Sequence, residues 1–379
     1  MNLEELESKF IAVFNQEPSI FRAPGRVNII GEHTDYNQGL VLPFPIKQAI
    51  YFAATKRSDR EIHIHALDIQ KDTIINLDDV KLLEPWTRFF VGVLNVLAED
   101  KFSFGGFNIM INGDIPFGAG ISSSSALTCG FLYTIKSLYN LNYTKRDIVF
   151  LASRAENGTG VNGGKMDQFS ICMGEENKAI LLDCKDYSYT LIENNTQNAS
   201  WFLFNSNVEH NLAETEYNDR RADCDEALQI INQKNPEITS LRDLDTESVN
   251  LYIDLISKKQ FDRITHYVDE NKRVLQMVKD LESNNLENAG ILLYESHQSL
   301  AELYEVSCEE LDFIVAKLKE EDYCYGARMM GGGFGGSVIA LLKDTENDFK
   351  DLKKSYFDSF GLEMDIIPVV SKNGIEKIK

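Results

Sequence analysis

The chain has no run of 18 apolar residues, and its first ten residues, MNLEELESKF, are acidic and amphipathic rather than a basic-then-apolar leader. The first absence excludes a membrane-spanning helix, and the second leaves no secretory signal to expect. Positive charge is scarce: 38 Lys and Arg stand against 59 Asp and Glu, for a net charge of −21. That balance argues against a nucleic-acid partner, whose phosphates need basic patches, but not against a small anion held by a few amides and cations. The six cysteines (Cys129, Cys172, Cys184, Cys224, Cys308, Cys324) form no Cys-x-x-Cys. Scattered thiols fit a reducing compartment, so a cytoplasmic location is expected. No Gly-Lys-Ser/Thr, Gly-x-Ser-x-Gly or His-Glu-x-x-His occurs, which removes the Walker A loop and gives hydrolase chemistry no support. His63-x-His65 alternates along an expected strand, and Glu209-His210 and His297 lack metal-ligand spacing. Internal repeats and a low-complexity tail are missing too.

What is there is an ordinary globular composition, 43% hydrophobic and 26% charged, in 379 residues. That length is too great for one compact core, so two domains are expected. Strand-like residues fill 19–23, 40–46, 49–55, 61–66 and 72–77. A helix is expected over 86–99, a strand over 107–112, and a helix from Ser122 to Leu138, where Leu127, Phe131, Leu132, Ile135 and Leu138 recur at helical spacing. Thr144 and Asp147 resemble a capping box opening a helix that ends near Glu156. Strand AILLDC, an Asn-rich connector at 193–200 and strand WFLFNSNV follow. Helical patterns fill about 214 to 320. A strand–glycine loop–strand covers 326–342, and one helix and a strand, MDIIPVV, complete the pattern. The chain reads as mixed α+β, with antiparallel pairing expected among 201–208, 323–329 and 337–342 and a domain boundary between 1–195 and 196–379.

Four stretches carry chemistry. In IPFGAGISSSSAL (115–127), a strand, a glycine loop and serines opening a helix make the geometry of an anion site. Unpaired amides and the positive end of the dipole face the ligand there. Gly118 and Gly120 allow positive φ and close approach. The serines Ser122, Ser123 and Ser124 can cap the helix, bind phosphate oxygens or ligate Mg²⁺. In RAPGRVNIIGEHTDYNQGLVLPFPI (22–46), Arg26, Glu32, His33 and Asp35 crowd one segment. They suit a neutral polyol, since carboxylates accept from hydroxyls while Arg and His donate. A solvated loop with a capping Asp fits equally well. In GGKMDQF (163–169), Asp167 is either an N-cap or a carboxylate aimed into a cleft. In MMGGGFGGS (329–337), the Gly-x-Gly-x-x-Gly spacing precedes an expected strand rather than a helix. That disfavours a dinucleotide turn and favours a hairpin closing over a ligand.

Taken together these residues resemble the GHMP small-molecule kinases and, within them, the galactokinase branch. RAPGRVNIIGEHTDYNQGLVLP is similar to that branch's signature, and IPFGAGISSSSAL to its nucleotide loop. MDQF, EYNDRRADCDEA, YEVSCEELD and GARMMGGGFGGS also look alike, so the resemblance spans about 19–342. It implies a two-domain α+β GHMP architecture. An N-terminal ribosomal-protein-S5-domain-2-like domain and a C-terminal ferredoxin-like α/β domain would hold the active site between them. It also implies ATP-dependent phosphorylation of the anomeric hydroxyl of galactose, with Mg²⁺, in a chain expected to be a monomer. By position Glu32, His33, Thr34, Asp35 and Tyr217 would hold the sugar. Gly118, Ala119, Gly120, Ile121, Ser122, Ser123 and Ser124 would cradle the phosphates, with Trp86 near the adenine. Ser124 and Glu156 would hold Mg²⁺. Asp167 would be the base, and Arg26 would stabilise the transferring group.

The chain departs from the family where Gly163-Gly164-Lys165 replaces Cys-Gly-Ile before the base and the loop from Glu156 to Asp167 is one residue shorter. Thr128 stands for a frequent Glu, and Ser125-Ala126 for Ala-Ser. Lys165 is expected to face water. Two alternatives stay open: a related sugar-1-kinase acting on N-acetylgalactosamine, arabinose or galacturonate, and a non-catalytic galactose sensor.

Overall fold

The computed structural model describes residues 3–116, 118–158, 164–194, 196–208, 213–344 and 348–379, the side chains of 213–215 excepted. In chain order the strands are β1 (Ser19–Asn28), β2 (Leu40–Val41), β3 (Pro43–Lys56), β4 (Glu61–Ala66), β5 (Lys71–Asn76), β6 (Phe107–Gly113), β7 (Lys178–Asp183), β8 (Tyr189–Glu193), β9 (Ala199–Asn205), β10 (Cys324–Met330), β11 (Ser337–Lys343), β12 (Asp365–Val369) and β13 (Glu376–Lys377). The α-helices are α1 (Leu3–Phe14), α2 (Arg88–Glu99), α3 (Ser123–Tyr139), α4 (Lys145–Asn157), α5 (Met166–Met173), α6 (Ala213–Lys234), α7 (Thr246–Val249), α8 (Lys258–Glu282), α9 (Leu286–Ser299), α10 (Glu309–Lys319) and α11 (Lys350–Phe360).

A six-stranded sheet runs β13-β1-β3-β6-β4-β5, antiparallel except where β4 meets β6. Beyond its first residue β1 is buried throughout, the mark of a strand covered on both faces. The helix α1 covers one face through Leu6 and Phe10 against Ile20, Ala53 and Met110. On the other face α3 packs closely because position 130 is glycine: a Cβ there would lie 2.1 Å from the Phe52 ring. The capping box of α4 forms as expected, Thr144 Oγ1 accepting from Asp147 N at 3.1 Å and Asp147 Oδ2 from Thr144 N at 2.6 Å.

Two smaller sheets follow, β2-β7-β8 and β10-β11-β9-β12. In the second, β11 pairs antiparallel with both β9 and β10, as the sequence predicts. Alternate residues of β11 serve two cores. Ile339 and Leu341 join the core under the first sheet, while Val338, Ala340 and Leu342 join a second core with Ile264, Tyr304 and Leu311. The period-2 side-chain alternation of a strand produces that division. The sequence gives no hint of β13, two charged residues whose pairing of Lys377 with Phe21 carries the chain's far end back to the first sheet.

Candidate active site

The segment between β1 and β2 carries the clustered polar residues, and distant buried groups fix it. Glu32 is 2% exposed. Its Oε1 accepts from Gly331 N at 2.7 Å and from Arg328 Nη2 at 3.2 Å, and its Oε2 accepts from Asn28 Nδ2 at 2.6 Å. Arg328, fully buried on β10, also donates to the carbonyls of Ile29 (2.7 Å) and Asn28 (2.5 Å). From α8, Glu270 Oε1 accepts from Gly31 N at 2.9 Å, His266 Nε2 reaches Glu32 O at 3.1 Å, and Asn271 Oδ1 accepts from Leu40 N at 2.7 Å. Burial works to raise the Glu270 carboxyl, but the charges of Arg273, His266 and Arg328 more than offset it and hold the group at about 2. Thr34 Oγ1 lies 2.9 Å from Gly31 O and 2.8 Å from Leu40 O, so its hydroxyl closes its own turn.

The serine loop meets Asp167 directly. Gly118 (φ +74) and Gly120 (φ +70) take the left-handed backbone that glycine permits. Ser122 takes it as well, at φ 64 and ψ 48, and its side chain does not cap α3. Its Oγ instead donates to Asp167 Oδ2 at 2.5 Å. Arg26 Nε donates to Asp167 Oδ1 at 2.7 Å, and Arg26 Nη1 to Gly120 O at 2.6 Å. Asp167 lies in the first turn of α5, whose N-cap is Lys165, so it is not the cap. Lys165 turns to the Tyr187 hydroxyl at 2.9 Å and is half-buried rather than facing water.

Beneath the loop, Glu156 accepts from Ser125 Oγ (2.9 Å) and Gln168 Nε2 (3.0 Å). Burial pushes its carboxyl up to about 7. Gln168 Oε1 is buried without a hydrogen-bond partner. One buried carboxylate, nearby hydroxyls and an orphaned amide oxygen suit a hard cation, and among the described residues no cluster of three or more His, Cys, Asp or Glu builds a closed cage. A hard cation such as Mg²⁺ commonly needs only one or two protein carboxylates, its other ligands coming from phosphate and water. The serine touching Glu156 is Ser125; Ser123 and Ser124 are half-buried at the helix mouth.

Beside Asp167 lies a cluster of Asp35, His33 and Tyr217. Burial first, then the charge of Asp167, raises the Asp35 carboxyl to about 6. Burial, reinforced by His266, lowers His33 to about 3, so the ring is neutral. The Tyr217 ring centroid lies 5.3 Å from that of His33 and 5.2 Å from that of Tyr36. The glycine hairpin 331–336 ties the two halves of the site together, with Gly331 N on Glu32 and Ser337 Oγ donating to Ala119 O at 2.8 Å. Its continuation into β11 removes any dinucleotide turn. Trp86 is the middle residue of the turn Pro85–Thr87 before α2, donating Nε1 to Glu84 Oε2 at 2.9 Å and packing edge-on to Phe90. Between α2 and α4 an open cleft of about 620 Å³ is lined by Leu82, Arg88, Val91, Asn95 and Arg154 among others and ends at Asn157 and Gly158.

Three family models match: the galactokinase galactose-binding signature over 8–56, the GHMP kinases N terminal domain over 88–175 and the GHMP kinases C terminal over 277–354. Galactokinase of Clostridium perfringens strain SM101 is 39% identical over 99% of both chains. That of Thermosipho africanus is 39% identical over 94% of this chain and 99% of its own. The chain belongs to the galactokinase family. The crystal structure of Lactococcus lactis galactokinase complexed with galactose superposes with a TM-score of 0.94, at 33% identity over 99% of this chain and 100% of that one. Methanococcus jannaschii mevalonate kinase shares the GHMP fold at 18% identity and a TM-score of 0.67, over 94% of this chain and 99% of its own.

For a galactokinase-family chain, the residues the sequence does not disclose are those that hold the signature in place: Arg328, Glu270, His266 and Asn271. Glu270 and Asn271 lie in the charged stretch DENKR of α8, which reads as a solvated face. Packed between the signature and α9, whose Ser296 Oγ also donates to it at 2.8 Å, Glu270 is fully buried. On β4, His63 and His65 stay in side-chain pairs with Glu61 (3.0 Å) and with Asp72 of the neighbouring β5 (2.9 Å), and His297 accepts from Met329 N, so these remain structural. Glu209 and His210 lie outside the described residues. No helix among the described residues is long and apolar enough to cross a membrane.

Proposed function

We propose that the protein transfers the γ-phosphoryl group of ATP to the anomeric hydroxyl of galactose, giving α-D-galactose 1-phosphate and ADP. One observation carries this: the Asp167 carboxylate, held by Arg26 and Ser122, stands where the serine loop meets the Asp35 cluster. Asp167 accepts the proton of the sugar O1 as the O1–P bond forms and the bridging P–O bond to ADP breaks. The transition state is loose, so positioning and charge neutralisation do most of the work. Arg26 balances the charge of the transferring group. Amides of Gly118 to Ser124 at the mouth of α3 hold phosphate oxygens, and Trp86 borders the adenine. Glu32, His33, Thr34, Asp35 and Tyr217 shape the sugar side. Mg²⁺ at Ser124 and Glu156 would neutralise phosphate charge. The boundary at 195 and 196 leaves the β10-β11-β9-β12 sheet in the second domain, together with β13, which pairs back onto β1. One chain supplies every residue of the site, so a monomer suffices, in a reducing cytoplasm that keeps its thiols free.

The test is ADP release across galactose, N-acetylgalactosamine, arabinose and galacturonate, with phosphorus NMR locating the product phosphate. Galactose turnover at the no-sugar rate overturns the proposal. Binding of sugar and ATP without turnover would favour a sensor.

A further inference from the structure

We propose that Tyr36, Tyr304 and Cys224 are positioning residues that lock His33 as the Nε2–H imidazole and, through it, hold the glycine hairpin over the sugar side. The proposal rests on the sugar-kinase reading of that side. Four contacts run in one line. Cys224 Sγ lies 3.3 Å from the Tyr304 hydroxyl, that hydroxyl 3.0 Å from the Tyr36 hydroxyl, and the Tyr36 hydroxyl 2.7 Å from His33 Nδ1. His33 Nε2 then lies 3.2 Å from Gly332 O.

The carbonyl end sets the direction of the whole line. A carbonyl only accepts, so Nε2 carries the hydrogen. Burial keeps the ring neutral, which leaves Nδ1 bare to accept from Tyr36. The single hydroxyl hydrogen of Tyr36 is thereby committed, so its oxygen accepts from Tyr304. Tyr304 in turn accepts from the Cys224 thiol.

The fold places each member deliberately. Tyr304 ends a π-helical turn, Leu300–Tyr304, that closes α9, and such extra-residue turns recur at functional sites. Arg220 Nε donates to Tyr304 O at 2.8 Å, and Arg263 donates to Leu303 O. His33 itself stands at φ 60, a conformation its surroundings must impose. With both ring nitrogens engaged by protein, His33 shapes the sugar side without donating to the sugar. The hairpin it holds also contacts Glu32 through Gly331, and Ser337 at its end donates to the serine loop.

The test uses the full chain labelled with ¹⁵N-histidine, His33→Gln assigning the resonance. Long-range ¹H–¹⁵N spectra at neutral pH should show the Nε2–H form. Tyr36→Phe leaves the Gly332 carbonyl holding the Nε2–H form but strips Nδ1 of its donor, so it should shift the Nδ1 ¹⁵N resonance and raise the sugar KM roughly two- to ten-fold, the value of one hydrogen bond, with the ATP KM within two-fold. Cys224→Ser keeps a donor and should retain the wild-type sugar KM, whereas Tyr304→Phe should raise it. An Nδ1–H or charged His33 in the wild type overturns the proposal, as do Tyr36→Phe and Tyr304→Phe variants with unaltered Nδ1 resonance and sugar KM. Absence of sugar-dependent turnover in the wild type counts against the sugar-kinase reading instead, and the tautomer spectrum still judges the chain of contacts.

Discussion

Gly164→Ala sets one methyl group against the Asp35 carboxylate. The added Cβ would lie 1.8 Å from Asp35 Oδ2, 2.3 Å from its Cγ and 2.9 Å from its Cβ, where unstrained contact needs roughly 3.5 Å. The backbone at 164 lies outside the left-handed region, so an L residue is admissible and the closest conflict is with the Asp35 side chain. Asp35 must swing its Oδ2 away by about 1.7 Å, enough to break any hydrogen bond it makes to a sugar hydroxyl. One hydrogen bond to a charged group is worth about 1.5–3 kcal/mol, so kcat/KM for galactose should fall about 10- to 150-fold. The loss should appear in the sugar KM, with the ATP KM nearly unmoved. Coupled ADP-release kinetics with each substrate titrated against saturating partner separates the two. If the clash acts through Asp35, Gly164→Ala should cost less than about two-fold more on an Asp35→Ala background. A variant with wild-type kcat/KM, or one whose loss adds in full to that of Asp35→Ala, refutes the reasoning.

Asp167→Asn should lower kcat by about 10²–10⁴ with substrate affinities retained, and rapid-quench turnover checks it. Ser122→Ala removes the 2.5 Å hydrogen bond to Asp167 and should lower kcat by about ten-fold or more, with the sugar KM steady. Arg328→Met strands the Glu32 carboxylate in the interior and should destabilise by about 3–5 kcal/mol, read in a chemical denaturation curve. Stability against pH follows from opposed groups. Glu156, raised from 4.5 to about 7, and Asp35, raised from 3.8 to about 6, protonate earlier folded than unfolded. They favour the fold as pH falls through those values. His33 and His266, lowered by burial from 6.5 to about 3 and about 4, contribute stability above 6.5 that is lost as pH falls. The pairs offset between about pH 6.5 and 4.5. Glu156→Gln removes one member, so its stability relative to wild type should decline by about 1.4 kcal/mol per pH unit on going from 7 to 4.5. A pH-independent difference would contradict the assignment.

Locally encoded features were legible in the sequence. Helix α3 with its glycine loop, the α4 capping box and the β10–β11 hairpin follow from spacing along the chain, because the forces that make them act between near neighbours. Ser122 shows where such reasoning runs out. A serine ahead of an apolar helix is ordinarily a cap, yet Asp167, 45 residues on, takes its hydroxyl. Glu270 and Arg328 look solvated in isolation, and their burial depends on partners more than 200 residues away. Lys165 differs from expectation for the same reason, since nothing near it in sequence announces the Tyr187 hydroxyl.

The grip of α8 and β10 on residues 28–40 bears on how the protein comes into being. On a ribosome the hydroxyl-reading segment emerges more than 200 residues ahead of the side chains that hold its backbone. Nascent chains should therefore carry an unformed sugar pocket until α8 and β10 have both emerged. Contacts of such long sequence separation also make late docking of the two halves the slow step of maturation.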